Sequence, residues 1–127
     1  MKIKKKSNIL IANEVLKILK KSKKKIAKKI EKDIKKSTQD ALNEVDNSIN
    51  ILKYAIKEYS KLNLKYLAFK NKNNLGNIIF EPMGRVAFIT PWNYPLLTIF
   101  ERLPFALLAG CEIILKPSEF TPSFNSI

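Results

Sequence analysis

The stretch that decides the fold is Arg85-Val86-Ala87-Phe88-Ile89-Thr90, then Pro91-Trp92-Asn93-Tyr94-Pro95, then an apolar run from Leu96 to Ala109 closed by Gly110, then Glu112-Ile113-Ile114-Leu115-Lys116. The first and last pieces are short, continuous apolar runs rich in β-branched residues, which read as buried strands. The middle run is long enough for a helix. Pro95 suits its first turn and Gly110 its C-terminal stop. Strand, helix and strand on short connections make a βαβ unit with parallel strands and a right-handed crossover. Because neither strand alternates, helices are expected on both faces of the sheet.

Working outward, Asn77-Ile78-Ile79-Phe80 reads as a further short strand and Glu81-Pro82-Met83-Gly84 as a turn. Residues 70–77, Lys-Asn-Lys-Asn-Asn-Leu-Gly-Asn, form a turn-rich polar stretch where the composition changes. Upstream, Leu42, Val45, Ile49, Leu52, Ile56 and Tyr59 alternate steps of three and four, the stripe of an amphipathic helix. Before it, Val15, Ile18, Leu19, Ile26, Ile30 and Ile34 predict a helix over 9–36, with Lys on its other face. Ser37 or Thr38 can cap the second helix, and Asp40 complements its dipole. Downstream, Thr121 and Pro122 resemble the N-cap and first position of one more helix. The fold class is α/β: N-terminal amphipathic helices, then an incomplete Rossmann-like βαβ unit.

The 127 residues include 24 Lys and Arg, 11 Asp and Glu, no His and one Cys, for a net charge of +13. The absence of His removes the commonest general base and metal ligand, and the lone Cys111 excludes a disulfide framework or a Cys-rich zinc site. With no His to activate it, Cys111 reads as a packing residue. Residues 1–38 hold 15 Lys against Glu14, Glu31 and Asp33. Such a block raises nucleic acid or an anionic membrane as a partner. Lys, Asn and Ile all have AT-rich codons, however, so base composition can load a tolerant surface with Lys. The Lys-rich helices also lack interleaved aromatics and Arg, which disfavours base stacking and groove reading. Lys2-Ile3-Lys4-Lys5-Lys6 before Ile9-Leu10-Ile11-Ala12 resembles a secretory start, but the apolar stretch is soon broken by charge. A cytoplasmic location is expected.

In an open parallel sheet, ligands bind beyond the carboxyl ends of the strands. Two polar clusters fall there: Thr90-Pro91-Trp92-Asn93 and Lys116-Pro117-Ser118-Glu119. Asn93 can donate its carboxamide N–H to a developing oxyanion or cap the following helix. Lys116 and Glu119 can hold a ribose, the ammonium donating and the carboxylate accepting, or form an ordinary exposed pair.

Four blocks in order carry a resemblance: Glu81-Pro82-Met83-Gly84-Arg85-Val86; Ile89-Thr90-Pro91-Trp92-Asn93-Tyr94-Pro95-Leu96; Leu103-Pro104-Phe105-Ala106-Leu107-Leu108-Ala109-Gly110-Cys111; and Leu115-Lys116-Pro117-Ser118-Glu119-Phe120-Thr121-Pro122. Together they resemble the NAD(P)-dependent aldehyde dehydrogenase superfamily. Asp40-Ala41-Leu42-Asn43-Glu44-Val45 is similar to its Glu-Ala-x-x-Glu-Val helix. Asp33-Ile34-Lys35-Lys36 stands where a Glu-Thr-Gly-Lys-type turn is usual, with Lys35 in place of Gly.

Charge and periodicity set off a Lys-rich segment of two amphipathic helices over 1–75, and the resemblance implies that the βαβ segment over 76–127 is part of an NAD(P)-binding domain. It implies that Asn93 stabilises the oxyanion, and that Ile89, Thr90, Pro91, Trp92, Lys116, Ser118 and Glu119 belong to the cofactor cleft. Glu119 would repel a 2′-phosphate, so NAD is favoured over NADP for the family's full-length chain; the resemblance does not extend that binding to these 127 residues alone. No metal is implied. The family's Glu-Leu-Gly-Gly and Gly-Gln-x-Cys motifs, which supply its general base and nucleophile, are absent from these 127 residues. The expectation is therefore a truncated aldehyde dehydrogenase, inactive alone, with an aldehyde as substrate only when completed. The alternatives are a Lys-rich module for nucleic acid or anionic membrane, or one half of a split dehydrogenase; the partner expected is a complementing chain or a second copy, rather than nucleic acid or membrane.

Overall fold

The computed structural model describes residues 4–124. Helix α1 (Lys5–Ile34) and helix α2 (Thr38–Lys61) form an antiparallel hairpin. Its two ends are pinned by Lys5 Nζ donating to the Ser60 and Leu62 carbonyls (2.8 and 2.5 Å) and by the Lys36–Glu44 ion pair (2.7 Å). Lys5 thereby places its charge on the carbonyl end of α2, where the helix dipole favours a cation.

Between the two possible caps for α2, the structure selects Ser37. Its Oγ accepts from the Asp40 N–H (3.1 Å) and donates to Asp40 Oδ2 (2.6 Å). This reciprocal arrangement satisfies one of the first-turn donors that the helix leaves without an internal partner. At the other end of the connection, Lys35 closes α1 in the left-handed region (φ 55°), its N–H bonded to the Glu31 carbonyl.

The buried face of the hairpin differs from the aliphatic stripes in one respect. Ala12, Ala27, Ala41 and Ala55 are buried alongside Leu19, Ile30, Val45, Ile49 and Leu52, whereas Ile18 is exposed. Small side chains bring the helix backbones close and leave less room at the seam for large ones. Ile18 instead lines a groove with Val15, Leu19, Leu96 and Phe100.

An antiparallel hairpin follows, β1 (Lys65–Lys70) and β2 (Leu75–Ile79), with a register irregularity between Leu67 and Phe69. The polar stretch is its turn. Asn71 Oδ1 accepts from the Asn73 and Asn74 amides (3.1 and 2.7 Å), a side chain mimicking a backbone turn. The composition change thus lies inside one supersecondary unit. The strand expected at 77–80 begins earlier and has a partner that periodicity did not reveal, because Lys65–Lys70 is exposed along its whole length and shows no buried face.

β3 (Arg85–Ile89) and β4 (Glu112–Lys116) pair in parallel, Arg85 opposite Glu112 and Ile89 opposite Lys116. Between them the expected single helix is two: α3 (Leu97–Phe100) and α4 (Leu103–Ala109). Pro104 causes the break, since it lacks an N–H and its ring crowds the carbonyl four residues back. The helix restarts with Pro104 in its first turn and ends at Gly110 in the left-handed region (φ 84°). The last described element is a short 3₁₀ turn, Pro122–Phe124.

Leu96, Ile99, Phe100, Leu108 and Phe124 join the buried residues of α1 and α2 in one core cluster. That core lies on one side of the parallel pair. The expectation of helices on both faces is not met among the described residues: Arg85, Ala87, Ile89, Glu112, Ile114 and Lys116 are exposed, and the alternate positions only half-buried. The missing alternation in hydrophobicity therefore reflects the apolar composition of both faces, of which these residues cover one.

Candidate functional site

The site candidates gather at the carboxyl ends of β3 and β4. The parallel register sets Ile89 beside Lys116, and the Thr90 N–H donates to the Lys116 carbonyl at 3.2 Å, extending the ladder by one step. Ile89 is 78% exposed despite its apolar side chain. Thr90 is buried, and its hydroxyl has no hydrogen-bond partner. Pro91, Trp92 and Asn93 follow as exposed residues of the loop.

On the second strand, Lys116 Nζ lies 3.7 Å from Glu119 Oε2, with both side chains open to solvent. Ser118 is buried. Its Oγ accepts from the Phe120 N–H (3.3 Å) and its carbonyl accepts from the Thr121 hydroxyl and N–H, which shapes the turn that presents Glu119. Trp92 and Phe120 face Asp33, Ile34 and Lys35 across an open cleft of about 470 Å³. Asp33 ties that side together by accepting from the Ser123 N–H and hydroxyl (2.9 and 2.8 Å).

Asn93 does not cap the helix that follows it. The N-cap residue of α3 is Leu96, which makes no side-chain cap bond. The capping group comes from another helix altogether. Glu44 of α2 is buried, and its Oε1 accepts from the backbone N–H groups of Leu96 (2.9 Å) and Leu97 (3.2 Å). Its other oxygen holds Lys36. The Lys36 ammonium also donates to the Asn93 carbonyl at 3.0 Å and sits 3.7 Å from the centre of the Tyr94 ring, within cation–π range.

Sequence reasoning did not single out Lys36 or Glu44 as residues of this site. One signal was present: Glu44 falls beside Ala41, Val45 and Ser48 on the face of α2 that becomes buried, where a lone carboxylate needs partners.

The carboxyl ends of a parallel strand pair are where open α/β sheets bind their ligands, and the polar clusters lie there. The family model described as "Aldehyde dehydrogenase family" matches residues 1–126, and the chain belongs to that family. The mitochondrial succinate-semialdehyde dehydrogenase of Oryza sativa subsp. japonica is 32% identical over 84 residues, 66% of this chain and 16% of that protein. The 2,5-dioxopentanoate dehydrogenase of Saccharolobus solfataricus is 38% identical over 84 residues, 66% of this chain and 18% of its own length. The crystal structure of the Staphylococcus aureus betaine aldehyde dehydrogenase in complex with NAD+ superposes with a TM-score of 0.84 and 26% identity, covering 91% of this chain and 23% of that one. The matched 84 residues thus span roughly a sixth of the length of these curated relatives. Its helices and parallel strand pair match the N-terminal cofactor-binding region of the family. Among the described residues, no helix is long and apolar enough to cross a membrane.

Proposed function

We propose that this chain forms the first part of the NAD(P) cleft of an aldehyde dehydrogenase fold and contributes Asn93 as its oxyanion donor. The observation that carries this reading is the meeting of Ile89 and Thr90 with Lys116 and Glu119 at one end of the parallel pair, from which the loop to Asn93 departs.

The residues fit such a cofactor. Lys116 supplies N–H donors and Glu119 carboxylate acceptors a few ångströms apart, a set matched to the vicinal hydroxyls of a ribose. The unpartnered Thr90 hydroxyl and the exposed Ile89 add a polar and an apolar contact on the neighbouring strand. The negative charge of Glu119 favours NAD over its 2′-phosphorylated form. Held by Lys116 and Glu119, such a cofactor would supply the hydride acceptor for aldehyde oxidation. The part played by this chain is to hold the ribose, keep Trp92 and Ile89 against the cleft, and point the Asn93 N–H at the aldehyde oxygen. A preorganised donor of that kind contributes about 3 kcal/mol in a dry site.

The implied whole reaction is oxidation of an aldehyde to a carboxylic acid. The sequence holds neither the Gly-Gln-x-Cys nor the Glu-Leu-Gly-Gly motif, so this chain alone is proposed to be inactive and to need a complementing chain or continuation. We place that activity in the cytoplasm. The proposed division between a Lys-rich support over 1–75 and a cofactor-binding segment over 76–127 falls at the start of β2, so the β1–β2 hairpin links the two.

Trp92 is the only tryptophan and so reports on the cleft. Titration of NAD+ into the chain is expected to change Trp92 fluorescence saturably, more weakly for NADP+ and for Lys116→Ala. Adding an aldehyde should yield no NADH. A folded chain with no saturable response would overturn the cofactor reading, and aldehyde-dependent NADH would overturn the proposed inactivity.

A further inference from the structure

The loop that carries Asn93 is fixed at three backbone points. Its start is held by the sheet through Thr90 N–H to the Lys116 carbonyl. Its middle and end are held by a single ion pair: Lys36 donates to the Asn93 carbonyl, and Glu44 accepts from Leu96 and Leu97. We propose that Lys36 and Glu44 act as positioning residues, a latch through which the α1–α2 hairpin sets the place of Asn93 relative to the strand ends. This inference rests on the reading of Asn93 as the oxyanion donor.

The two members do separable work. Glu44 Oε1 supplies the acceptor that the first turn of α3 otherwise lacks, so it governs residues 96 and 97. Lys36 bridges the second carboxylate oxygen to the Asn93 carbonyl, so it governs residue 93. The pair is well suited to hold a fixed geometry, because the side chain of Glu44 is fully buried and that of Lys36 is 14% exposed. A charge-assisted bond in such surroundings is shorter and about twice as strong as a neutral one. Tyr94 closes the latch from the outside, its ring against the ammonium. None of these contacts involves the Asn93 carboxamide itself, which leaves its N–H groups for a ligand.

The test is amide NMR and hydrogen exchange on the ¹⁵N-labelled 127-residue chain. In the wild type, the Leu96 amide should exchange about 100-fold more slowly than an unprotected one. Glu44→Gln keeps a carbonyl oxygen in place and should speed Leu96 and Leu97 exchange roughly tenfold. Lys36→Met should shift and broaden the Asn93 backbone and carboxamide signals, and Lys36→Arg should restore them. Ile49→Val, which weakens the same helix without touching the latch, separates positioning from general stability. Equal changes at Asn93 in Lys36→Met and Ile49→Val would overturn the latch. So would unmoved Asn93 signals in Lys36→Met, or, should that variant not fold, an unprotected Leu96 amide in the wild type. An intact latch with no NAD+ response fails the cofactor reading alone, whereas a NAD+ response without the latch signature fails only this inference.

Discussion

The buried ion pair makes an energetic prediction that the geometry is detailed enough to size. Glu44 presents two carboxylate oxygens to three donors, the Lys36 ammonium at 2.7 Å and the Leu96 and Leu97 amides at 2.9 and 3.2 Å. Replacing it with Met leaves a largely buried ammonium whose remaining partners are the Asn93 carbonyl and the Tyr94 ring, and leaves the Leu96 N–H without its acceptor. Breaking a buried pair from one side costs about 3–5 kcal/mol. The unpartnered amide belongs to that range and would by itself account for roughly 1–3 kcal/mol. Glu44→Met should therefore lose about 4 kcal/mol, a large fraction of the stability of a small domain.

Lys36→Met leaves the carboxylate with two amide donors and should cost less, about 3 kcal/mol. The double variant removes both charges, so its cost should fall well short of the sum, with a coupling of about 2 kcal/mol. Urea unfolding followed by far-UV circular dichroism supplies the four free energies of the cycle. Additivity within about 0.5 kcal/mol would show that the two side chains do not act as a unit, and the reasoning would be refuted.

Two further predictions concern the helical hairpin. Lys35 adopts φ 55°, a conformation that costs a non-glycine residue about 1–2 kcal/mol, so Lys35→Gly should raise stability by about 0.5–1 kcal/mol after the extra chain entropy of Gly is subtracted. A lower urea midpoint for that variant would contradict the strain argument. Burial holds the Tyr59 phenol above its ordinary value of 10.0, with an interaction from the Asn8 side chain partly opposing the shift. The unfolded chain then loses the phenolic proton first. The stability associated with neutral Tyr59 is complete below pH 10 and declines as pH rises from 10 towards the raised folded value. Tyr59→Phe should remove that part of the decline. Identical slopes in the two proteins above pH 10 would count against it.

The βαβ core was legible because each of its signals is local. Apolar runs at 85–89 and 112–116, Gly110 as a stop and Ser37 as a cap all act over a few residues, and each adopts the conformation its chemistry favours. Pro104 was equally visible, yet the continuous apolar run around it concealed that the helix restarts there. Strand β1 lacked any periodic signal, since no face of it is covered by the described residues. Among the site candidates, Ile89, Thr90, Lys116 and Glu119 could be placed together from strand order alone, because parallel pairing brings the two carboxyl ends side by side.

By itself the sequence determined the type and order of the main elements and the end of the sheet to which Asn93 and Glu119 belong. Backbone preference and hydrophobic period act within a few residues, and they suffice for that. Only the tertiary structure decided what holds the Asn93 loop. Glu44 lies 52 residues before Leu96, and Lys36 lies 57 before Asn93. A buried carboxylate announces that it needs donors but not which ones. The donors were chosen when α2 packed against the start of α3, where two backbone amides lay within reach of the same ion pair.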